Sequence, residues 1–276
     1  MNHAVSIILP TYNGARTIDR AIASILAQNY RSWELIILSD GSTDDTKAVV
    51  EKKVGSDERI IFIENEQNMG IQKTLNKGLG LARGEYVARI DDDDEWIDHS
   101  KLAAQVAFLE SHPDHVLVGT DAFVVDENGI SLSTNVMPRS DAVIRSKMLS
   151  KNCFLHSTIL VRKDIVKKVG GYSQKKRDLH AEDYNLWLRV GLEGRMANFE
   201  MKSTALTAHG NSLTSRNRTQ QARNVLRNAY TYRYAYPSFF KGYFISVARL
   251  TFFYLMSMLP IPQSLWYRIQ RAYRTV

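Results

Sequence analysis

Val5-Ser6-Ile7-Ile8-Leu9 is an apolar run stopped by Pro10, and its reading decides the fold. Such a run reads as a strand buried on both faces of a parallel sheet. Beyond it the chain alternates helix and strand. Ala21, Ile22, Ile25 and Leu26 recur on one helical face. Leu35-Ile36-Ile37-Leu38 is a second strand, and Ser42-Thr43-Asp44-Asp45 after it resembles a capping box at a helix start. A third strand is expected over 60–63, a helix over 70–83 weakened by Gly78 and Gly80, and a fourth strand over 86–90. This alternation predicts an α/β domain with a doubly wound, mostly parallel sheet and helices on both faces. Ligands of such sheets bind beyond the carboxyl ends of the strands, so residues just after strands are the first candidates for function.

Downstream, the pattern predicts a helix over 99–110, a strand over 116–120 and a hairpin turning on Asp126-Glu127-Asn128-Gly129. A strand over 157–162 and a helix over 181–190 complete it. No repeat or low-complexity linker interrupts the chain.

Composition excludes several classes. With 276 residues, 44% hydrophobic and 24% charged, the chain has the make-up of a folded protein and not of a disordered one. A single cysteine, Cys153, rules out an internal disulfide framework and fits a reducing compartment; it reads as a small buried hydrophobe. The strand pattern begins without a basic-then-apolar leader, so a cytoplasmic protein is expected. The net charge of +7 is unevenly spread: residues 201–276 hold 11 Lys/Arg and no acid, against 25 Lys/Arg and 29 Asp/Glu before them. That shift alone divides a body, 1–210, from a basic, amphipathic, helical extension, 211–276. A basic extension on a mildly acidic body points to a partner of fixed negative charge.

Two strand ends carry acids. Asp40 follows Leu38-Ser39, and Asp91-Asp92-Asp93-Asp94 follows Val87-Ala88-Arg89-Ile90. Four adjacent carboxylates repel one another, and a divalent cation relieves that repulsion. Mg²⁺ and Mn²⁺ are hard ions held by one or two carboxylates plus substrate phosphates. Side chains alternate along extended backbone, so Asp91 and Asp93 face one way and can share a metal, while Asp92 faces elsewhere.

Three stretches then carry a resemblance: Ile8-Leu9-Pro10-Thr11-Tyr12-Asn13-Gly14, Leu38-Ser39-Asp40-Gly41-Ser42-Thr43-Asp44, and Gly84-Glu85-Tyr86-Val87-Ala88-Arg89-Ile90-Asp91-Asp92-Asp93-Asp94. In order and spacing they resemble the signatures of family 2 glycosyltransferases. His156-Ser157-Thr158, Gly170-Gly171-Tyr172 and Glu182-Asp183-Tyr184-Asn185-Leu186-Trp187-Leu188-Arg189 match as well, so the resemblance spans roughly residues 4–212. It implies a GT-A fold, a nucleotide-sugar-binding half at 1–98, an acceptor and catalytic half at 99–210, and an inverting transfer of a hexose. Pro10, Thr11 and Tyr12 would line the nucleotide pocket, with Asn68, Asn76 and Asp92 also at the nucleotide sugar. Asp40 would accept a hydrogen bond from the base edge. Asp91 and Asp93 match the DxD pair of metal and ribose ligands, with His209 as a candidate third ligand. Asp183 would be the general base, its pKa raised by neighbouring Glu182. The chain departs from the family pattern at Ser39, where a second Asp is common, and at Asp98, where Pro is frequent.

Leu186 and Val190 should pack inward, and core packing is favoured for Trp187 over an acceptor platform. Arg189 is expected to be structural or solvent-facing, and His156 to be a hydrogen-bonding residue at the core edge.

The extension places Arg216, Arg218, Arg223, Arg227 and Arg233 ahead of an apolar, aromatic stretch over 239–259, which Lys241 and Arg249 interrupt. Its longest uninterrupted apolar piece, 250–259, is half a membrane span. Pro260 and Pro262 precede Trp266, Tyr267 and three more arginines. Two readings stand: a segment over 216–276 lying in an anionic membrane interface, or a soluble helix packed on the body or on the second copy of a homodimer. No recognition motif supports nucleic-acid binding. The sequence therefore predicts a metal-dependent enzyme at the inner face of the cell membrane. It would move sugar from a UDP-, GDP- or dTDP-sugar to a saccharide or lipid-linked saccharide, in bacterial surface polysaccharide or lipopolysaccharide synthesis. The alternative is an inactive nucleotide-sugar-binding or membrane-scaffold protein. A P-loop is absent, Pro10–Gly14 is not the glycine-rich loop of a nucleotidyltransferase, and Gly78-Leu79-Gly80 has Arg83 where a dinucleotide fingerprint needs its third glycine.

Overall fold

The computed structural model describes residues 4–55, 57–208 and 218–258. Four strands form the parallel half of the sheet: β1 (Val5–Thr11), β2 (Trp33–Ser39), β3 (Ile60–Glu64) and β4 (Tyr86–Arg89), in the order β3-β2-β1-β4. Between them run α1 (Ile18–Leu26), α2 (Thr46–Val54) and α3 (Ile71–Leu81). Strand alternation sorts the two faces. Val5, Ile7, Leu9, Leu35 and Ile37 pack with Ile18, Ile22 and Ile25 of α1 and Val50 of α2, whereas Ile8, Ile36 and Leu38 pack with Leu75 and Leu79 of α3. The chain therefore builds β1 to β3 outward on one side of β1, then crosses by α3 to place β4 on the other side. The carboxyl ends of β1 and β4 flank the point where strand order reverses, the place such sheets leave open for a ligand.

The remainder of the sheet is mixed. β5 (Glu95–Trp96), α4 (Lys101–Ser111), β6 (His115–Val125), β7 (Ser131–Asn135), α5 (Asp141–Lys147), β8 (Leu160–Arg162), α6 (Lys163–Lys168), α7 (Glu182–Val190) and β9 (Arg195–Thr207) come in turn. The full order is β3-β2-β1-β4-β8-β6-β9-β5, with β7 as a hairpin on β6. β8 is antiparallel to both β4 and β6, while β6 and β9 are parallel. The hairpin turns where expected: Gly129 N–H donates to the Asp126 carbonyl at 3.0 Å, with Gly129 at φ +81°.

Two local expectations shift. The helix after β2 begins at Thr46, and its N-cap Asp45 makes no side-chain cap bond; Asp44 accepts the Thr46 N–H at 3.1 Å, and Ser42 accepts the Asn13 N–H at 3.0 Å. The strand expected over 157–162 opens with a 3₁₀ turn, His156–Thr158, and only Leu160–Arg162 is extended. Thr158 Oγ1 donates to the Leu155 carbonyl at 2.9 Å and Ser157 Oγ accepts the Asp91 N–H at 3.0 Å, so both hydroxyls compete with the ladder.

The extension contains α8 (Arg218–Thr231) and α9 (Phe239–Met258). Ala222 and Ala229 of α8 are buried, and Val225 and Tyr236 pack into the core that holds Trp187 and Leu188 of α7. Tyr236 Oη donates to the Leu188 carbonyl at 2.7 Å, and Asn224 Nδ2 to the Leu179 carbonyl at 2.8 Å. α9 lies on residues 148–150: Gly242 backs onto Leu149, and Arg249 donates to the Ser150 carbonyl at 2.9 Å. No helix among the described residues is long and apolar enough to cross a membrane.

Gly84 fixes the entry to β4. Its N–H donates to Ser6 Oγ at 2.8 Å, and a Cβ there would lie 2.6 Å from the Ser6 backbone nitrogen. Backbone cannot yield as a side chain can. Gly84→Ala should therefore lower unfolding stability by roughly 1–3 kcal/mol, read from urea melts; an unchanged midpoint would contradict the close approach.

Candidate active site

A cavity of about 830 Å³ opens at the β1/β4 switch point. β1 contributes Pro10, Thr11 and Tyr12; the loop after β2 contributes Asp40; the loop before α3 contributes Asn68 and Gly70; and the segment after β4 contributes Asp91, Asp92 and Asp93. Asn152, His156 and the start of α7, with Glu182 and Asp183, line it as well. Gln221 and Val225 of α8 complete it, so the extension forms part of the cavity wall.

Asp40 is almost fully buried, and it organises the loop beside it. Its carboxylate accepts from Asn65 Nδ2, Met69 N–H and Gly70 N–H, each at 2.9 Å. A carboxylate has about four acceptor positions, so one remains for an N–H donor in the cavity. Asn68 Oδ1 accepts the Gly70 N–H at 3.0 Å, and Tyr12 stands half-exposed in the lining. Ser39 is buried and donates to Ser42 Oγ at 2.9 Å.

Asn76, expected at the nucleotide, does not line this cavity. Its Nδ2 donates to the Tyr172 carbonyl at 2.8 Å and its Oδ1 accepts the Tyr172 N–H at 2.9 Å. Both ends of the amide are thus spent on the 170–172 turn, where Gly171 at φ +66° leaves no room for a Cβ. His209 lies outside the described residues, as do 210–217 and 259–276, including Arg216, Pro260, Pro262, Trp266 and Tyr267.

The acids after β4 divide their tasks. Asp91, Asp93 and Asp94 each offer an oxygen within 4.8 Å of the others, an all-oxygen set that fits a hard divalent ion. Asp92 turns instead toward Thr11, whose hydroxyl donates to it, and burial pushes its carboxyl up to about 7. Asp94 is buried, accepting from Ser157 Oγ and from the Thr207 N–H at 3.0 Å, and burial followed by the Asp93 charge pushes its carboxyl well up. Arg89 is buried and grips both oxygens of Asp91. Burial opposes its charge, yet Asp91 outweighs that and holds the guanidinium above its ordinary range.

In the same lining, burial raises both carboxyls at the start of α7: Glu182 to about 7 and Asp183 above its usual range. For Glu182 the Asp183 charge adds to the effect. Asn152 Nδ2 donates to Asp183 Oδ2 at 2.8 Å, which fixes that oxygen. His156 bonds Tyr172 Oη at 2.7 Å; burial and then Arg89 push it well below its usual range. Trp187 is core, and Arg189 is structural, donating to the Val169 carbonyl at 2.6 Å. Cys153 is buried, its thiol pushed up to about 12 by burial, which removes it as a nucleophile.

Four residues here escape pattern reading. Arg89 leaves one signal, a charge closing an otherwise apolar strand. Asn152, Gln221 and Val225 leave none, because long-range packing brings them in.

The model of glycosyl transferase family 2 matches residues 6–170. EpsE of Bacillus subtilis, which bears a glycosyltransferase name, is 38% identical over 192 residues, covering 69% of this chain and 67% of its own. WfaP of Escherichia coli, named as a UDP-Glc:α-D-GlcNAc-diphosphoundecaprenol β-1,3-glucosyltransferase, is 31% identical over 228 residues, covering 81% and 86%. Among solved structures, the mannosyltransferase PcManGT of Pyrobaculum calidifontis, crystallised with GDP-Man and Mn²⁺, superposes with a TM-score of 0.65 at 18% identity, covering 100% of this chain and 81% of its own. At that identity the likeness shows the fold, which is the GT-A α/β fold. The chain belongs to glycosyl transferase family 2.

Glu182 gives the site a pH signature. Its folded pKa lies above its unfolded value, so the folded state keeps a proton that the unfolded state releases. Stability from that proton is present at low pH and is lost as pH rises from about 4.5 toward about 7. Glu182→Gln should match the parent near the bottom of that window. At pH 8, in chelator, it should be more stable by roughly 1–3 kcal/mol. Parallel stability profiles of the two proteins would contradict the assignment.

Proposed function

We propose that this chain is an inverting, divalent-metal-dependent glycosyltransferase, moving a hexose from a nucleoside-diphosphate sugar to a saccharide or lipid-linked saccharide acceptor. One observation carries the reading: Asp91, Asp93 and Asp183 line a single cavity. A bound Mn²⁺ or Mg²⁺ supplies the positive charge that makes the nucleoside diphosphate a tolerable leaving group. Asp91 and Asp93 would hold it, and the oxygen of Asp94 that converges with theirs completes the donor set. Pro10, Thr11, Tyr12 and Asn68 would enclose the nucleotide, with Asp92 toward the sugar. Asp40 has one acceptor position left for a base N–H, which suits uracil, thymine or guanine. The UDP-glucose of WfaP's name favours UDP. His209 would be an additional ligand.

Asp183 takes the proton from the acceptor hydroxyl. As that oxygen bonds to the anomeric carbon, the carbon's bond to the diphosphate breaks on the far face and the electron pair leaves with the diphosphate. One displacement inverts the anomeric centre. Burial raises the Asp183 carboxyl, which strengthens it as a base, and Asn152 fixes its direction. Glu182 beside it disfavours a second negative charge and keeps the pair ready to accept a proton.

Relatives named for polysaccharide synthesis, such as the amylovoran enzyme AmsE of Erwinia amylovora, support a role in bacterial surface polysaccharide or lipopolysaccharide synthesis. The place of work would be the cytoplasmic face of the membrane. α9 supports this: Phe240 is 74% exposed, Phe244 67% and Leu255 56%, all on the side away from buried Gly242, Ser246 and Phe253. Lys241 is exposed beside them, and no acid lies anywhere in 201–276. An exposed apolar face beside a lysine, in a segment without acids, suits an anionic bilayer surface. α8 both lines the cavity and packs on α9, so docking would bring the mouth close to a lipid-linked acceptor.

Asp183→Asn should lose about 10²–10⁴-fold in turnover while binding UDP or GDP with Mn²⁺ as the parent does in thermal-shift assays. Near-parental turnover would refute the base assignment. The triple substitution Phe240→Ser, Phe244→Ser and Leu255→Ser should abolish flotation with phosphatidylglycerol vesicles while leaving the melt intact. Unchanged flotation would refute membrane docking, and a dimer-to-monomer shift on gel filtration would assign the face to a homodimer instead.

A further inference from the structure

Arg89 is the charged side chain that the reaction above does not use. It ends β4, only 4% of its side chain is exposed, and it is the one Arg or Lys lining the cavity among the described residues. Acids surround it from two elements. Asp91, Asp92 and Asp94 after β4 feel its charge, and so do Glu182 and Asp183 of α7. Its fork is committed to both oxygens of Asp91. Two buried polar atoms in this neighbourhood have no hydrogen-bond partner among the described residues: Arg89 Nε and Glu182 Oε2. The guanidinium therefore still has a donor to place, in a cavity whose expected guest carries a diphosphate.

We propose that Arg89 is a positioning residue that competes with the divalent ion for Asp91, so that metal alone binds weakly and metal and donor diphosphate load together. The inference rests on the metal-dependent reading above and adds an order of loading to it. The physical argument is one of charge balance. An ion on Asp91 either shares that carboxylate with Arg89 or takes from the buried guanidinium the partner that holds its fork, and both are unfavourable. A diphosphate arriving with the ion supplies charge for both, and phosphate oxygens suit the planar fork of an arginine. A lysine at this position would carry the charge but could not hold both oxygens of Asp91.

The test is Mn²⁺ binding to the full chain, followed by the electron paramagnetic resonance of free Mn²⁺, alone and with saturating UDP or GDP in parallel. The parent should bind Mn²⁺ at least about 10-fold more tightly with nucleotide, within the usual range of site-to-site coupling. Arg89→Gln should bind Mn²⁺ alone more tightly than the parent does, and its nucleotide effect should shrink to a few-fold at most. Arg89→Lys should fall between the two. A merely structural arginine predicts no such change in coupling. If the Gln variant does not fold, as read from its circular dichroism melt, the Lys variant decides: tighter Mn²⁺ binding than the parent supports the proposal, and unchanged binding overturns it. Parent binding that ignores nucleotide also overturns it. Mn²⁺ that fails to bind with either nucleotide would sink the metal-dependent reading itself, whereas Mn²⁺ that binds with nucleotide but with the same coupling in all three proteins would sink only the role of Arg89.

Discussion

The structure depends on how many carboxylates it keeps around one buried cation. Asp91, Asp92 and Asp94 follow one strand, Glu182 and Asp183 begin one helix, and the charge of Arg89 acts on both groups. Burial raises four of these acids above their ordinary range. A fold does not hold such a group for stability, because replacing buried charge by packed apolar side chains is often neutral or favourable. Perturbed carboxyls gathered in a cleft are instead the mark of a site with chemistry to do. The sheet explains how they meet. Reversal of strand order at β1 and β4 opens the crevice, and the 3₁₀ turn at His156–Thr158 carries Ser157 to the acids after β4.

The parallel half of the fold was legible because its signals are local. Apolar runs at 5–9 and 35–38 bury both faces of their strands, and the alternation of strand and helix allows few topologies. The second half was less so. β9 carries Lys202 and Glu200 within its span, and the short α5 and α6 have no long apolar period. Their places are fixed by long-range partners: Arg139 with Asp121, or Arg145 donating to the Gly191 and Gly194 carbonyls. Motif residues at strand ends were readable for the same reason that strands were. Asn76 was not, since its sequence position borders the loop but its amide is consumed by Tyr172. Asn152 and Gln221 reach the cavity from elements that no motif marks.

The extension changes meaning once its packing is seen. A charge shift at residue 201 suggests an appendage, but α8 lends buried alanines to the body and Gln221 and Val225 to the cavity, and Tyr236 just beyond it lends a hydroxyl to α7. A truncation before α8 would strip the core and open the site together, so point substitutions on the outer face of α9 separate surface binding from catalysis.

The central claim is a single displacement among acids that line one cavity. The anomeric configuration of the product, read by proton NMR from the vicinal coupling of its anomeric proton, tests it most directly. With an α-linked nucleoside-diphosphate hexose as donor, the account predicts a β-linked product. An α-linked product would mean that the acceptor oxygen does not displace the diphosphate in one backside step, and would contradict it.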